Sequence, residues 1–166
     1  MNPNASISRF FKVYEVGKSR IAIRMGIDNT PPSDVLERAS HHARTVLDPL
    51  RDQFGPLSPQ SWYRGDALER QLTWDKGFRK WCGKNHVAHG EAAWPDYFAL
   101  KSHPLGEATD IEYPQLSNRY LFDWIKKNTP SYDQLILEFF VPGDPTSGWV
   151  HISSKVKGNR EMAFFI

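Results

Sequence analysis

Gln134-Leu135-Ile136-Leu137-Glu138-Phe139-Phe140-Val141 and Trp149-Val150-His151-Ile152-Ser153 are β-rich runs, and the residues between them, Pro142-Gly143-Asp144-Pro145-Thr146-Ser147-Gly148, are almost all turn formers. The expected product is an antiparallel hairpin. In its second strand, alternation sends Val150 and Ile152 to the core and leaves Trp149, His151 and Ser153 on the opposite face. A turn centred between Asp144 and Pro145 sets Glu138 directly opposite His151, on the same face, with β-carbons about 4.5 to 5.5 Å apart. Glu161 to Ile166 is expected to add an edge strand.

Working outward, Pro31-Pro32-Ser33-Asp34 precedes Val35, Leu36, Ala39, Ala43, Val46, Leu47 and Leu50 at helical spacing, and Gly55-Pro56 follows. Residues 33 to 53 therefore read as a long amphipathic helix that covers a sheet. Leu57 to Tyr63 reads as a short strand, Asp66 to Leu72 as a short helix, and Ser117 to Lys127 as a helix capped by Ser117. Residues 73 to 101 hold Trp74, Trp81, Trp94, Tyr97 and Phe98 without a clean period, and read as an inserted subregion packed on or over something. Together these elements predict one α+β domain over residues 1–166, with a small antiparallel sheet and flanking helices.

Composition narrows the field. The chain has 166 residues, 40% hydrophobic and 13% aromatic, enough for one core and too much for a disordered chain. The longest apolar run is the five residues Met162 to Ile166, far below the roughly 18 needed to cross a bilayer, so no membrane association is expected. A formal net charge of +2 leaves no electrostatic footprint of a nucleic-acid binder. Met1 to Phe11 lacks the pattern of a secretory signal, so synthesis in the cytoplasm is expected. Cys82 is the single cysteine, so there is no disulfide framework and any metal is held by His and carboxylate.

The chemistry concentrates in Ser102-His103-Pro104-Leu105-Gly106-Glu107-Ala108-Thr109-Asp110-Ile111. Gly106 between His103 and Asp110 lets a turn fold His103 back towards the start of a strand carrying Asp110. His151 supplies a third ligand from the polar face of the hairpin. Three N/O ligands and an open fourth position are the pattern of a catalytic Zn2+, whose bound water is a nucleophile near neutral pH. Glu138, opposite His151, is placed to serve as general base. Cys82, His86 and His89 read as an incidental grouping, and the adjacent His41 and His42 face different directions on a helix.

The His103, Gly106, Ala108, Asp110 pattern followed by Gly148-Trp149-Val150-His151 resembles the zinc-dependent M15 peptidases, which include D-alanyl-D-alanine carboxypeptidases and phage endolysins. Gly26-Ile27-Asp28-Asn29-Thr30-Pro31 is similar to the segment before that family's first long helix, and Ser61-Trp62-Tyr63-Arg64 to its Ser-Gly-Tyr-Arg element. The likeness runs from about residue 10 to the C-terminus. It implies a hedgehog/D-Ala-D-Ala peptidase-like α+β fold, one zinc ion, and hydrolysis of peptide bonds in bacterial peptidoglycan. Glu138 matches a Glu of one branch of the family, and Arg64 is implied to hold a substrate carboxylate or carbonyl.

Two departures stand out. Gly148 occupies the position where many relatives carry a carboxylate, and the link before His103 is stretched to hold residues 73 to 101. That stretch is expected to border the substrate cleft rather than to form a separate core. The resemblance implies a phage-type wall peptidase acting on stem peptides, either after holin release or as a virion component alongside phage structural proteins. The rival reading is a non-catalytic structural or wall-binding module of a virion that keeps the fold. A remoter one is a dipeptidase acting on free D-Ala-D-Ala.

Overall fold

A computed structural model describes residues 2–166. Two short helices, α1 (Val13–Val16) and α2 (Arg20–Met25), lead to α3 (Ser33–His42), which passes through a π-turn at Ala43–Leu47 into α4 (Asp48–Phe54). The predicted long helix is thus present with one bulge. Its cause is Pro49, which has no N–H for the carbonyl four residues back and crowds it, so the ladder shifts register just before it. Next come α5 (Asp66–Thr73), a second π-turn at Trp74–Phe78, α6 (Arg79–Asn85), a 3-10 turn at Glu91–Ala93 and α7 (Trp94–Ala99). The remainder is β1 (Ala108–Ile111), α8 (Asn118–Asn128), β2 (Gln134–Glu138), β3 (Trp149–Ser153) and β4 (Met162–Phe165). As read from the sequence, Ser117 caps α8: its side chain accepts from the Tyr120 amide at 3.1 Å.

The sheet runs β1-β3-β2-β4. The hairpin β2/β3 and the pair β1/β3 are antiparallel, but β4 lies parallel to β2, so the sheet is mixed rather than wholly antiparallel. The reason lies in residues 154–161, which carry the chain past the end of β2 so that β4 starts beside Gln134. Buried Asp133 fixes that crossing: Arg160 donates to its two oxygens at 2.8 and 2.6 Å, and Lys155 approaches at 3.2 Å. The predicted strand over Leu57 to Tyr63 reduces to one bridge, Ser61 with Asp110. Beyond it the chain turns away, the Tyr63 amide donating to Val16 O at 3.0 Å instead of extending a ladder.

One hydrophobic cluster joins helix and sheet: Leu36, Ala39, Val46, Leu47 and Leu50 meet Leu121 and Ile125 of α8 and Ile111, Leu135, Leu137, Val150 and Ile152 of the sheet. Alternation then puts Asp110, His151, Ile136 and Glu138 on the other face. The insertion departs from expectation by building its own core from Phe78, Cys82, Trp94 and Tyr97, with Trp74, Trp81 and Phe98 packed around them. Its aromatic residues come from two helical segments that close on each other, so they bury one another instead of lining a surface.

Candidate metal centre

The pairing of β1 with β3 sets Asp110 directly across from His151. His103 reaches them from a tight turn in which the Gly106 amide donates to His103 O at 2.9 Å. Gly106 has φ +74°, and a β-carbon there would lie 2.8 Å from Val35 Cγ1 and 2.9 Å from the Val35 carbonyl, so the turn seats directly on α3. Trp62 grips the turn at both ends. Its indole Nε1–H donates to Gly106 O at 2.9 Å, and its own carbonyl accepts from His103 Nδ1 at 2.6 Å.

That last contact fixes the imidazole. A carbonyl can only accept, so the His103 proton sits on Nδ1 and Nε2 carries a lone pair. Nε2 lies 3.2 Å from Asp110 Oδ1, and His151 Nδ1 lies 2.9 Å from the same oxygen. Among the described residues these three side chains form the one group with metal-binding geometry, all three buried and their ligand atoms within 4.8 Å of one another. Burial holds His103 down to about 4, against the opposing pull of Asp110, so its imidazole is neutral. Burial also works to raise Asp110, but its polar surroundings, His103 first, with a hydrogen bond from His151 and the Arg64 charge, keep the carboxylate well below its usual range. A neutral imidazole lone pair and a carboxylate lone pair therefore face each other at 3.2 Å, an arrangement that repels unless a cation lies between them. The separations approach the roughly 3.3 Å edge of a tetrahedron of ligands about 2.0 to 2.1 Å from one ion. The site can hold a metal ion.

Arg64 is presented by a loop that Asn29 pins: its side chain donates to Gly17 O and Tyr63 O at 3.0 and 2.9 Å and accepts from the Gly65 amide at 2.8 Å. The guanidinium makes two hydrogen bonds and one longer ion-pair contact within the protein. Nε donates to Ser61 Oγ at 2.8 Å, Nη2 donates to Asp110 Oδ2, and Nη1 lies 3.9 Å from Glu69 Oε2. Arg64 thus orients the Asp110 carboxylate.

Glu138 stands opposite Trp149, and Ile136 takes the place opposite His151. The register differs from the expected one by two residues, which preserves the face, because side chains alternate with a period of two. Glu138 is therefore diagonal to His151, about 7 to 8 Å away in such pairs and within reach of a long side chain. The turn is centred one residue earlier than expected because the chain leaves the ladder at Phe139, at φ +54°, and Gly148, at φ +67°, packs on the Glu138 carbonyl. Half-buried, Glu138 is raised by desolvation and then by the Asp110 charge, against the pull of His151, Arg64 and Lys101.

Several neighbours carried no sequence-level signal that was read as functional. His42 is fully buried beneath the site, with Nδ1 2.8 Å from Ser154 Oγ and Nε2 3.0 Å from Thr109 Oγ1. Its position three residues after Ala39 on the apolar face of α3 is the mark that would have found it. Glu69 is 2% exposed, and its Oε2 has no hydrogen-bond partner. Cys82 is buried in the insertion's core, and His89 Nε2 is paired with Trp74 O at 2.9 Å. Comparison of the chain with family models, with curated proteins and with solved structures returned no match.

Proposed function

We propose that this chain is a zinc-dependent peptidase that hydrolyses peptide bonds of bacterial peptidoglycan, in the manner implied by its resemblance to D-alanyl-D-alanine carboxypeptidases and phage endolysins. The observation that carries the reading is the lone pair of His103 Nε2 aimed at Asp110 Oδ1 in a buried site completed by His151. Two imidazoles and one carboxylate suit zinc among the common divalent ions. A zinc ion held there supplies Lewis acidity and a water of lowered pKa.

The chain's own residues supply the rest. Trp62 O holds His103 in the tautomer that frees Nε2, and Arg64 together with Ser61 locks the outer oxygen of Asp110. Glu138, on the same face as His151 and raised by burial, accepts the proton of the attacking water and returns it to the leaving amine. A wall-lytic role of phage origin fits this chemistry, and the stem peptides of the wall are the proposed substrate.

Zinc content and release of soluble peptides from purified peptidoglycan test the reading together. Wild-type protein should carry one zinc and release peptides. His103→Ala and His151→Ala should lose the metal. Glu138→Gln should keep it while activity falls on the order of 10² to 10⁴. Peptide release no greater from wild type than from Glu138→Gln would instead favour a non-catalytic wall-binding module.

A further inference from the structure

Arg64 meets the Asp110 carboxylate through Nη2 and a second carboxylate through Nη1. That second group is Glu69, on the first turn of α5, where its amide donates to Gly65 O at 2.9 Å. The other acidic side chain of this turn is satisfied: Asp66 accepts from Arg70 Nε and from the Trp94 indole, each at 2.6 Å. Glu69 differs. It is 2% exposed, its Oε2 has no hydrogen-bond partner, and the same oxygen lies 3.9 Å from Arg64 Nη1. Burial raises its proton affinity, against the pull of Arg64 and Lys101. A carboxylate held at such depth without a hydrogen bond to that oxygen works against stability, so packing alone does not account for its presence.

We infer that Glu69 is a positioning residue for the metal centre, one that balances through Arg64 the positive charge laid against Asp110, so that Asp110 keeps its attraction for a divalent ion. The inference rests on the metal reading of the His103, Asp110 and His151 group. Asp110 is the one carboxylate of that group, and the guanidinium bonded to its Oδ2 offsets its charge. Arg64 thus both orients the carboxylate and weakens it as an anion. A second carboxylate beside the far nitrogen of the same guanidinium returns the sum over the three groups to one negative charge, in a buried setting where water screens little. The 3.9 Å separation is too long for a hydrogen bond, so Glu69 offsets the charge of Arg64 without drawing it away from Asp110.

The test is zinc affinity, measured by competition with a chromophoric chelator, set beside thermal melting of the metal-free chain. Glu69→Gln and Glu69→Met should each raise the zinc Kd roughly ten- to a hundredfold, the usual effect of losing a group that backs a metal ligand. Glu69→Met also removes a buried, unpartnered oxygen, so its metal-free Tm should hold or rise, the opposite of what loss of a structural contact does. In an Arg64→Met background there is no guanidinium to balance, and the effect of Glu69→Gln on Kd should shrink to about twofold or less. A Kd within about twofold of wild type for both single variants, an equal change with and without Arg64, or a metal-free Tm that falls in step with affinity in both would overturn the assignment. Wild-type protein without measurable zinc binding would overturn the metal reading and this inference with it, whereas zinc binding indifferent to Glu69 removes the role of Glu69 alone.

Discussion

Gly148 rests against the backbone carbonyl of Glu138 so closely that a β-carbon at position 148 would lie 1.9 Å from that oxygen. The residue that ends the hairpin loop is thus the residue against which the proposed base is seated. Position 148 also has φ +67°, where a side chain is strained whatever the space around it. Gly148→Ala should cost at least about 2 kcal/mol, a fall in Tm of roughly 4 to 8 °C for a chain of this size. It should also reduce zinc content, because the push falls between Glu138 and His151. Thermal melting and elemental analysis of the same sample check both. An unaltered Tm would mean that the loop yields without strain.

Acid stability follows from His42. Burial, aided by the charges of His151, His103 and His41, holds it down to about 3 from an ordinary 6.5. Between those values the unfolded chain binds a proton that the folded chain refuses, so stability rises with pH across that window and is lost as pH falls below about 6.5. Buried His103 contributes with the same sign between 6.5 and about 4. The metal-free protein should therefore melt at lower temperature at pH 5 than at pH 7, and His42→Gln, which cannot take up the proton, should show a smaller difference. A steeper pH dependence in the variant would contradict this.

The crossing into β4 depends on a buried charge. Asp133, 2% exposed, meets Arg160 through a two-point contact and Lys155 through one. Both cations stay partly in water, so losing the carboxylate leaves them hydrated rather than stranded. Asp133→Asn should then cost about 1 to 3 kcal/mol, below the range for a fully buried pair, with zinc binding intact. Hydrogen exchange should show the amides of residues 162–165 opening sooner while those of β1 and β3 keep their protection.

The insertion's own core gives a separate test. Phe78 is fully buried among Trp74, Trp94 and Tyr97, and Phe78→Ala removes the ring around which they close. A loss of about 3 to 5 kcal/mol is expected locally. Limited proteolysis should then cut within residues 73–101, while His103, Asp110 and His151 continue to hold zinc. Concurrent loss of the metal would show that the two clusters unfold as one.

Features encoded locally were legible. The helix over residues 33 to 54 declares itself through apolar spacing, α8 through Ser117, and the grouping of His103, Asp110 and His151 through a turn glycine and a strand alternation. What escaped depends on partners distant in sequence. The register slipped by two because it is set where Gly148 meets the Glu138 carbonyl and Phe139 leaves the ladder, and neither fact has a local signature. Met162–Phe165 reads as a strand in either direction, and only the Asp133 anchor makes it parallel. The aromatic residues of the insertion lost their period because a π-turn interrupts the helix that carries them, with Gly77 closing on Tyr97. The contacts that Arg64 makes with Asp110 and Glu69 had no local signature, because those partners come from a strand and a helix that the sequence does not place together.

The double grip of Trp62 on the His103–Gly106 turn bears on the order of events when an ion arrives. One indole proton and one carbonyl hold both ends of the segment that bears the first ligand, and Arg64 already aims the second. The donors are thus in place before there is anything to bind, and capture requires little reorganisation of the chain. Such a pocket folds first and fills afterwards, unlike a small zinc finger, where the ion itself supplies the reason to fold. Stripping the proposed zinc should accordingly abolish the proposed hydrolysis while leaving the scaffold standing, able to be recharged without refolding.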